Sequence, residues 1–380
     1  MLKVLSKSEW DKLKREPYQK YDDYNQRIQA GHKSILVAPL NWGLGHATRC
    51  IPIIKALQQN NYIPIIASDG IALALLKKEF PALKTLELPS YQIEYAEKGK
   101  NLKWKLFQNG FKTIKAIRRE KILIEDWIEK HNIDGIISDN RLGVFISKIP
   151  SVYITHQLNV LTGNTTWITS KIHRYIIKKH TECWVPDLAG VQNFTGKLGH
   201  LENTNLNIKY IGPLSRLHKK ETEKKYDLMI ILSGPEPQRG ILEAKLKIEI
   251  LRYSGKIIFI KGVVEKNQIK EQIGNVVYYN FMNSIELEHA FNESEKVLCR
   301  SGYTTVMDLV QLEKKAFFIP TPGQYEQEFL AEKLMKDGLA PYAIQEDFSI
   351  EDIQETQHYK GFTKLNSAIN WHNLFTFFEK

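Results

Sequence analysis

Glu295 to Gly338 reads EKVLCRSGYTTVMDLVQLEKKAFFIPTPGQYEQEFLAEKLMKDG, a pattern that runs strand, tight loop, helix, strand, loop, helix. Val297 and Leu298 end a short apolar run, which Arg300-Ser301-Gly302 then break. From Thr304 onward Val306, Leu309, Val310 and Leu312 recur at helical spacing. A second apolar run, Ala316 to Ile319, is stopped by Pro320 and Pro322. The helix after it carries Phe329, Leu330 and Leu334, and Gly338 suits its C-terminal cap. This is a βαβα unit of a parallel sheet, with loops opening at the carboxyl ends of the strands.

The first of these loops has the chemistry of an anion site. Ser301 is placed to cap the helix, and backbone N–H groups there face what lies above the strand, with the helix dipole favouring negative charge. Ser301, Thr304 or Thr305, and Asp308 share one helix face. Hydroxyls and amides beside a phosphate, with a carboxylate one turn deeper, suit a nucleotide's diphosphate and its ribose diol. An ordinary capped helix with a solvated Asp308 fits the same spacing, so the residues alone leave both readings standing.

RSGYTTVMDLVQLEKKAFFIPTPGQYEQEFLAEKL resembles the C-terminal donor-binding motif of two-domain GT-B glycosyltransferases, and within them the MurG-type, family 28 branch. The pattern there is roughly R-S/A-G-x-x-T-x-x-E, then P-x-P, then D/x-x-Q-x-x-N-A. Arg300, Ser301, Gly302 and Thr305 match the loop and helix start. Asp308 stands where the family has the glutamate that binds the donor ribose, and Gln327 stands at its glutamine. Asp308 is one methylene shorter than glutamate, and Glu326 sits where Asp or His is usual; both departures bear on which sugar is bound.

A chain of 380 residues accommodates two α/β domains, each with its own core. Its hydrophobic and charged fractions are those of a soluble globular protein, and no stretch approaches a membrane span. The opening MLKVLSKSEWDKLKRE lacks the apolar core of a signal peptide. Cys50, Cys183 and Cys299 are few, odd in number and far apart, which suggests neither a disulfide framework nor a zinc site. These features predict a cytoplasmic protein. A net charge of +10 gives a surface attractive to phosphates, whether of nucleotides, nucleic acid or anionic lipid.

After a polar leader, residues 1–30, the first domain opens with a buried-strand run, Ser34 to Leu40. Asn41-Trp42-Gly43-Leu44-Gly45-His46-Ala47-Thr48-Arg49 follows, then a helix carrying Ile53, Ile54 and Leu57 and a strand ending at Ser68-Asp69. Three readings compete for the turn. A dinucleotide fingerprint would use Gly43, Gly45 and Asp69, but position 48 is Thr where the third glycine belongs. A plain strand-to-helix connection would leave His46 incidental. The third reading is a resemblance: GLGHATRCIP is similar to the GGTGGHxxPA motif of MurG-type enzymes. That likeness implies that Gly43 and Gly45 let the backbone approach the donor's phosphates, and makes His46 the general base, since imidazole titrates near neutrality.

Between residues 98 and 130, Trp104, Phe107, Phe111 and Ile114 fall on one helix face amid Lys103, Lys105, Lys112, Lys115, Arg118 and Arg119. A solvated surface helix is one reading; contact with anionic lipid headgroups is the other. The MurG-type resemblance implies membrane contact through the N-terminal domain, peripheral and on the cytoplasmic face. Two later strands end in Asp139-Asn140-Arg141 and Thr155-His156-Gln157, where open α/β sheets bind ligands. Related inverting GT-B enzymes orient the base histidine with such an Asp, which implies that Asp139 fixes the tautomer of His46. His156 and Gln157 are further candidates for the acceptor or cleft. Asp139 and His156 equally suit plain hydrogen bonding to backbone amides.

The second domain opens with Asp227 to Leu232 and the loop Ser233-Gly234-Pro235-Glu236-Pro237-Gln238. Ser233 and Gly234 resemble the family loop facing the donor diphosphate, and Phe281-Met282 the short segment whose backbone reads the uracil. The expected fold is α/β, GT-B: two Rossmann-like domains with parallel sheets facing across a cleft. The boundaries expected are 1–30, an extension; 31–212, the acceptor side; 213–365, the nucleotide-sugar side; and 366–380, a helix returning to the first domain. The expected function is inverting, metal-independent transfer of a hexosyl or N-acetylhexosaminyl group from a UDP-sugar to a hydroxyl acceptor, lipid-linked or membrane-associated. The UDP-sugar is substrate, and no cofactor is expected: the sequence has neither a D-x-D pair nor a His/Cys cluster with ligand spacing. The rivals are a non-catalytic nucleotide-sugar or lipid-binding partner subunit and a GT-B relative such as a nucleotide-sugar 2-epimerase. Nucleic-acid binding would leave both glycine loops without a purpose, and no carboxylate pair suggests a glycosidase.

Overall fold

A computed structural model describes residues 31–91, 102–161, 166–263, 265–363 and 369–379, and over 102–113 the backbone alone. The 1–30 extension and the side chains of Trp104, Phe107 and Phe111 lie outside the described residues. By its contacts the chain divides into two compact units. One holds the described residues up to Ile154, with Ile176–Trp184 and those from Asn370; the other holds Thr155–Tyr175 and Val185–Ile369.

In the first unit β1 (Ser34–Pro39), β2 (Ile63–Ser68), β4 (Ile133–Asp139), β5 (Ser151–Ile154) and β6 (Glu182–Val185) are built from apolar runs without alternation, because helices cover both faces of a parallel sheet. Counted with β3 (Thr85–Glu87) and with β7 (Ile208–Tyr210), whose residues fall in the other unit, the sheet order is β3-β2-β1-β4-β5-β6-β7. Helices α1 (Gly45–Gln59) and α2 (Gly70–Glu79) follow β1 and β2, and α3 (Leu102–Lys130) precedes β4. Strand order reverses between β1 and β4, whose last residues, Pro39 and Asp139, are register partners. An open parallel sheet leaves its ligand crevice at such a point.

The second unit repeats the plan. Its order is β10-β11-β9-β8-β12-β13, from β8 (Tyr226–Ile231), β9 (Ile257–Ile260), β10 (Lys270–Ile273), β11 (Val276–Tyr279), β12 (Ser294–Cys299) and β13 (Lys315–Phe318). Here the reversal lies between β8 and β12, whose ends Ile231 and Cys299 pair. Helix α4 (Thr166–Ile177) precedes β6. Beyond it come α5 (Gln238–Glu249), α6 (Ser284–Asn292), α7 (Tyr303–Gln311), α8 (Tyr325–Lys336) and the short α9 (Trp371–Phe375). Helix α7 buries Tyr303, Val306, Met307, Leu309 and Val310 on one side, as its spacing predicts. Near the C-terminus Phe375 and Phe378 pack on Tyr62 within the first unit, and Tyr62 donates to the Phe375 carbonyl at 3.0 Å. Cys50, Cys183 and Cys299 are free thiols, each buried.

Candidate functional site

At the first unit's switch point the turn after β1, with Gly43 at φ 72°, leads into α1. The first turn of that helix carries His46, and Arg49 stands three residues on, on the same face. Both reach the buried carboxylate of Asp139 at the end of β4. Oδ1 accepts from His46 Nδ1 at 2.9 Å and from Arg49 Nη2; Oδ2 accepts from Arg49 Nε at 2.5 Å and from the Cys50 thiol at 3.6 Å. Burial would raise the Asp139 carboxyl, but Arg49 and then His46 outweigh it and hold the group well below the usual carboxylate range. Burial, and then the charge of Asp139, push the Cys50 thiol well up, so it stays protonated.

A second buried network braces the turn. Arg141 donates to Glu120 at 2.7 Å and to the Pro39 carbonyl at 3.1 Å, and it also pairs with Asp69. Asp69 in turn accepts from Asn41 Nδ2 at 3.1 Å. Gly70 makes this approach feasible: its φ is +51°, and a Cβ there would lie 2.3 Å from Asn41 Nδ2. Asp69 is thus committed to Arg141 and Asn41, which removes the dinucleotide reading that needed its carboxylate for a ribose.

In the second unit the loop after β12 differs in detail from the sequence expectation. The guanidinium of Arg300 is buried and donates to the carbonyls of Gln238, Ile319 and Pro320 at 2.9–3.1 Å and to Gln345 Oε1 at 2.7 Å. Burial lowers it to about 10. It ties three segments of the unit together. Ser301 does not cap α7: its buried hydroxyl donates to the Gln327 carbonyl at 2.8 Å, and the N-cap is Gly302, with no side-chain cap bond. The first-turn amides of α7, beside the partly exposed Thr304 and Thr305, therefore take no partner from the cap side chain.

One turn deeper, Asp308 accepts from Ser215 Oγ at 2.5 Å. The residue keeps some surface, yet burial raises its carboxyl to about 6 in spite of the Ser215 bond. Glu326, at the start of α8, accepts from His156 Nε2 at 2.8 Å and from the Gln157 amide. The His156 ring stacks on Tyr303, centroids 4.4 Å apart. Gln327 is buried, and its Oε1 takes the Thr321 N–H at 2.9 Å. Ser233 and Gly234 are exposed, with Gly234 at φ 105°. Phe281 and Met282 are half-buried. The Phe281 N–H is bonded to Asn280 Oδ1 at 3.0 Å and its carbonyl accepts from Gln268 at 2.9 Å. The structure thus gathers His46 with Asp139, and His156 and Gln157 with Glu326. Arg49 escaped the sequence reading, because an arginine near a helix start ordinarily faces solvent; its only signal was the three-residue spacing from His46. Among the described residues no group of three or more His, Cys, Asp or Glu side chains is arranged to hold a metal ion.

Residues 238–367 match the glycosyltransferase family 28 C-terminal domain. Over 333 residues the chain is 24% identical to the UDP-N-acetylglucosamine–N-acetylmuramyl-(pentapeptide) pyrophosphoryl-undecaprenol N-acetylglucosamine transferase of Glaesserella parasuis serovar 5, covering 84% of this chain and 88% of that one. Acinetobacter baumannii MurG superposes with a TM-score of 0.52 at 14% identity, over 87% of this chain and 92% of its own. The glycotransferase of kitacinnamycin gives 0.59 at 12%, over 86% and 89%. Two mostly parallel sheets, each reversing strand order at a switch point, with most of the second inside the matched region, give the chain the fold of the GT-B glycosyltransferases. Within that class the chain is similar to the MurG-type enzymes.

Proposed function

We propose that the chain transfers a hexosyl or N-acetylhexosaminyl group from a UDP-sugar to a hydroxyl of a lipid-linked acceptor, inverting the anomeric carbon without a metal ion. The name of the Glaesserella parasuis relative supports the donor and acceptor classes. The observation that carries the chemistry is the buried carboxylate of Asp139 on Nδ1 of His46. A proton held on Nδ1 makes Nε2 the basic nitrogen. As the acceptor oxygen bonds to the anomeric carbon, the bond from that carbon to the diphosphate breaks; the acceptor proton passes to Nε2, and UDP leaves with the bonding pair.

In this reading the leaving charge meets the first-turn amides of α7 and the Ser233-Gly234 loop, while Arg300 acts through the segments it ties together. Asp308 holds the ribose diol, the backbone of Phe281 and Met282 faces the base, and Gly43 and Gly45 let the main chain approach the phosphates. Glu326, presented by His156 and Gln157, faces the sugar hydroxyls, and Gln327 shapes the loop at Thr321. The enzyme works from the cytoplasmic side of an anionic membrane. Among the described side chains, α4 supplies a face for it: Trp167, Ile168, Ile172 and Tyr175 are exposed, beside exposed Lys171, Lys178 and Lys179.

The test pairs two measurements on His46→Ala. UDP affinity stays at the wild-type value, and sugar transfer falls by roughly 10²–10⁴, the size of a lost general base. Unchanged turnover removes His46 from the mechanism. A wild-type protein that binds UDP-sugar tightly yet transfers to no lipid acceptor is instead a partner subunit.

A further inference from the structure

We propose that Arg49 is the positioning residue of the His46–Asp139 pair: it clamps the carboxylate so that Oδ1 faces Nδ1, and cancels its charge so that the imidazole rests neutral. This rests on the reading of His46 as the base. The residue is not part of the family pattern, since the motif GGTGGHxxPA has proline at the third position after its histidine and this chain has Arg49.

The geometry is that of a two-point clamp. Nε and Nη2 of Arg49 take the two oxygens of Asp139, which a rigid planar fork does and a lysine cannot. Arg49 is 1% exposed, so water does little to weaken the pair. Nη2 also lies 2.8 Å from Nδ1 of His46. Were Nδ1 to accept from Nη2, its lone pair would face the carboxylate Oδ1 at 2.9 Å; a proton on Nδ1 removes that repulsion.

Charge counting gives the second half. Among the described residues the titratable groups at the carboxylate include Arg49 and Cys50 on α1, His46 itself and Tyr153 on β5, with Cys183 and Glu120 acting on Tyr153 from beyond. The Cys50 thiol and the Tyr153 phenol are both pushed up by burial and by Asp139, and stay neutral. Arg49 and Asp139 then cancel each other within the pair, so protonating His46 gains little from the carboxylate. Without Arg49 the same protonation would create a neutral imidazolium–carboxylate pair, an unreactive resting state for a base. Arg49 therefore trades some stabilisation of the imidazolium formed in the step for a ring that starts deprotonated at Nε2.

The experiment is ¹⁵N NMR of histidine-labelled protein at neutral pH, with His46 assigned among the 11 histidines by its loss in His46→Ala. In the wild type the ring is expected neutral, with the proton on Nδ1. Arg49→Gln is expected to shift it to the doubly protonated form and to lower transfer tenfold or more at unchanged UDP affinity. Arg49→Lys, which keeps the charge and loses the fork, is expected to restore the neutral ring and only part of the transfer. A ring state unchanged in Arg49→Gln overturns the proposal. If Arg49→Gln fails to fold, the double variant Arg49→Gln/Asp139→Asn removes both charges; a neutral ring with no fixed tautomer is expected there, and a retained Nδ1–H form overturns the proposal. The base reading fails separately, by full transfer in His46→Ala, whatever the ring spectrum shows.

Discussion

At the residue scale, Asp308 links stability to binding. Its carboxyl is raised to about 6 by burial, above the ordinary value of 3.8. Between those values the folded chain holds a proton that the unfolded chain has lost, so stability falls as pH rises through the window and stays lower above it. Asp308→Asn should therefore stabilise the protein near pH 7.5, by at most about 3 kcal/mol since some surface remains exposed, and have little effect near pH 3. The same variant should weaken UDP binding by about 1–3 kcal/mol if the carboxylate holds the ribose. Thermal melts at the two pH values with a UDP titration check both arms; a variant less stable at pH 7.5 overturns the first. The positions of the motif residues were legible in the sequence, but their side-chain directions were not. Arg300 and Ser301 stand where the pattern puts them, yet each turns inward onto main-chain carbonyls distant in sequence, which spacing along the chain cannot reveal.

Elements were legible where an apolar pattern drew them. The central strands and α7 are such cases, and β10 is the counter-example: Lys-Glu-Gln-Ile, exposed throughout, pairs antiparallel with β11 and carries no burial period to read. Helix α4 tests the membrane reading, because from Thr166 to Thr181 it and its flank contain no acidic residue. Vesicles with about a third anionic lipid should pellet the protein at low salt and release it as salt rises. Trp167→Ser/Ile172→Ser should weaken that partitioning at least tenfold, since burying each large apolar side chain contributes about 1.5–3 kcal/mol. Undiminished pelleting of the double variant would move the contact off this helix.

Over the whole molecule, one arrangement appears twice: each sheet reverses its strand order beside a pair of strand ends, Pro39 with Asp139 and Ile231 with Cys299. The glycine turn and the Arg300 loop that stood out in the sequence follow one strand of each pair. Arg300→Met should accordingly damage the second unit broadly, loosening the segments at Gln238, Ile319 and Pro320 and lowering UDP affinity, with no change in the ring state of His46. Hydrogen exchange on those segments checks this. Protection unchanged at all three would show that the guanidinium is dispensable as a tie.

The three buried thiols give the molecule a built-in clock. Burial pushes Cys183 up to about 12 and Cys299 higher still, so neither reacts with an alkylating reagent until the chain around it opens. Cys50 and Cys183 sit in the first unit and Cys299 in the second, so peptide mapping of the label times the opening of each unit from a single sample. UDP at a hundredfold excess over its Kd should slow labelling of Cys299 by up to about a hundredfold, and leave Cys50 and Cys183 at their own rates. Equal slowing of all three would mean that the nucleotide restrains the chain as one cooperative body.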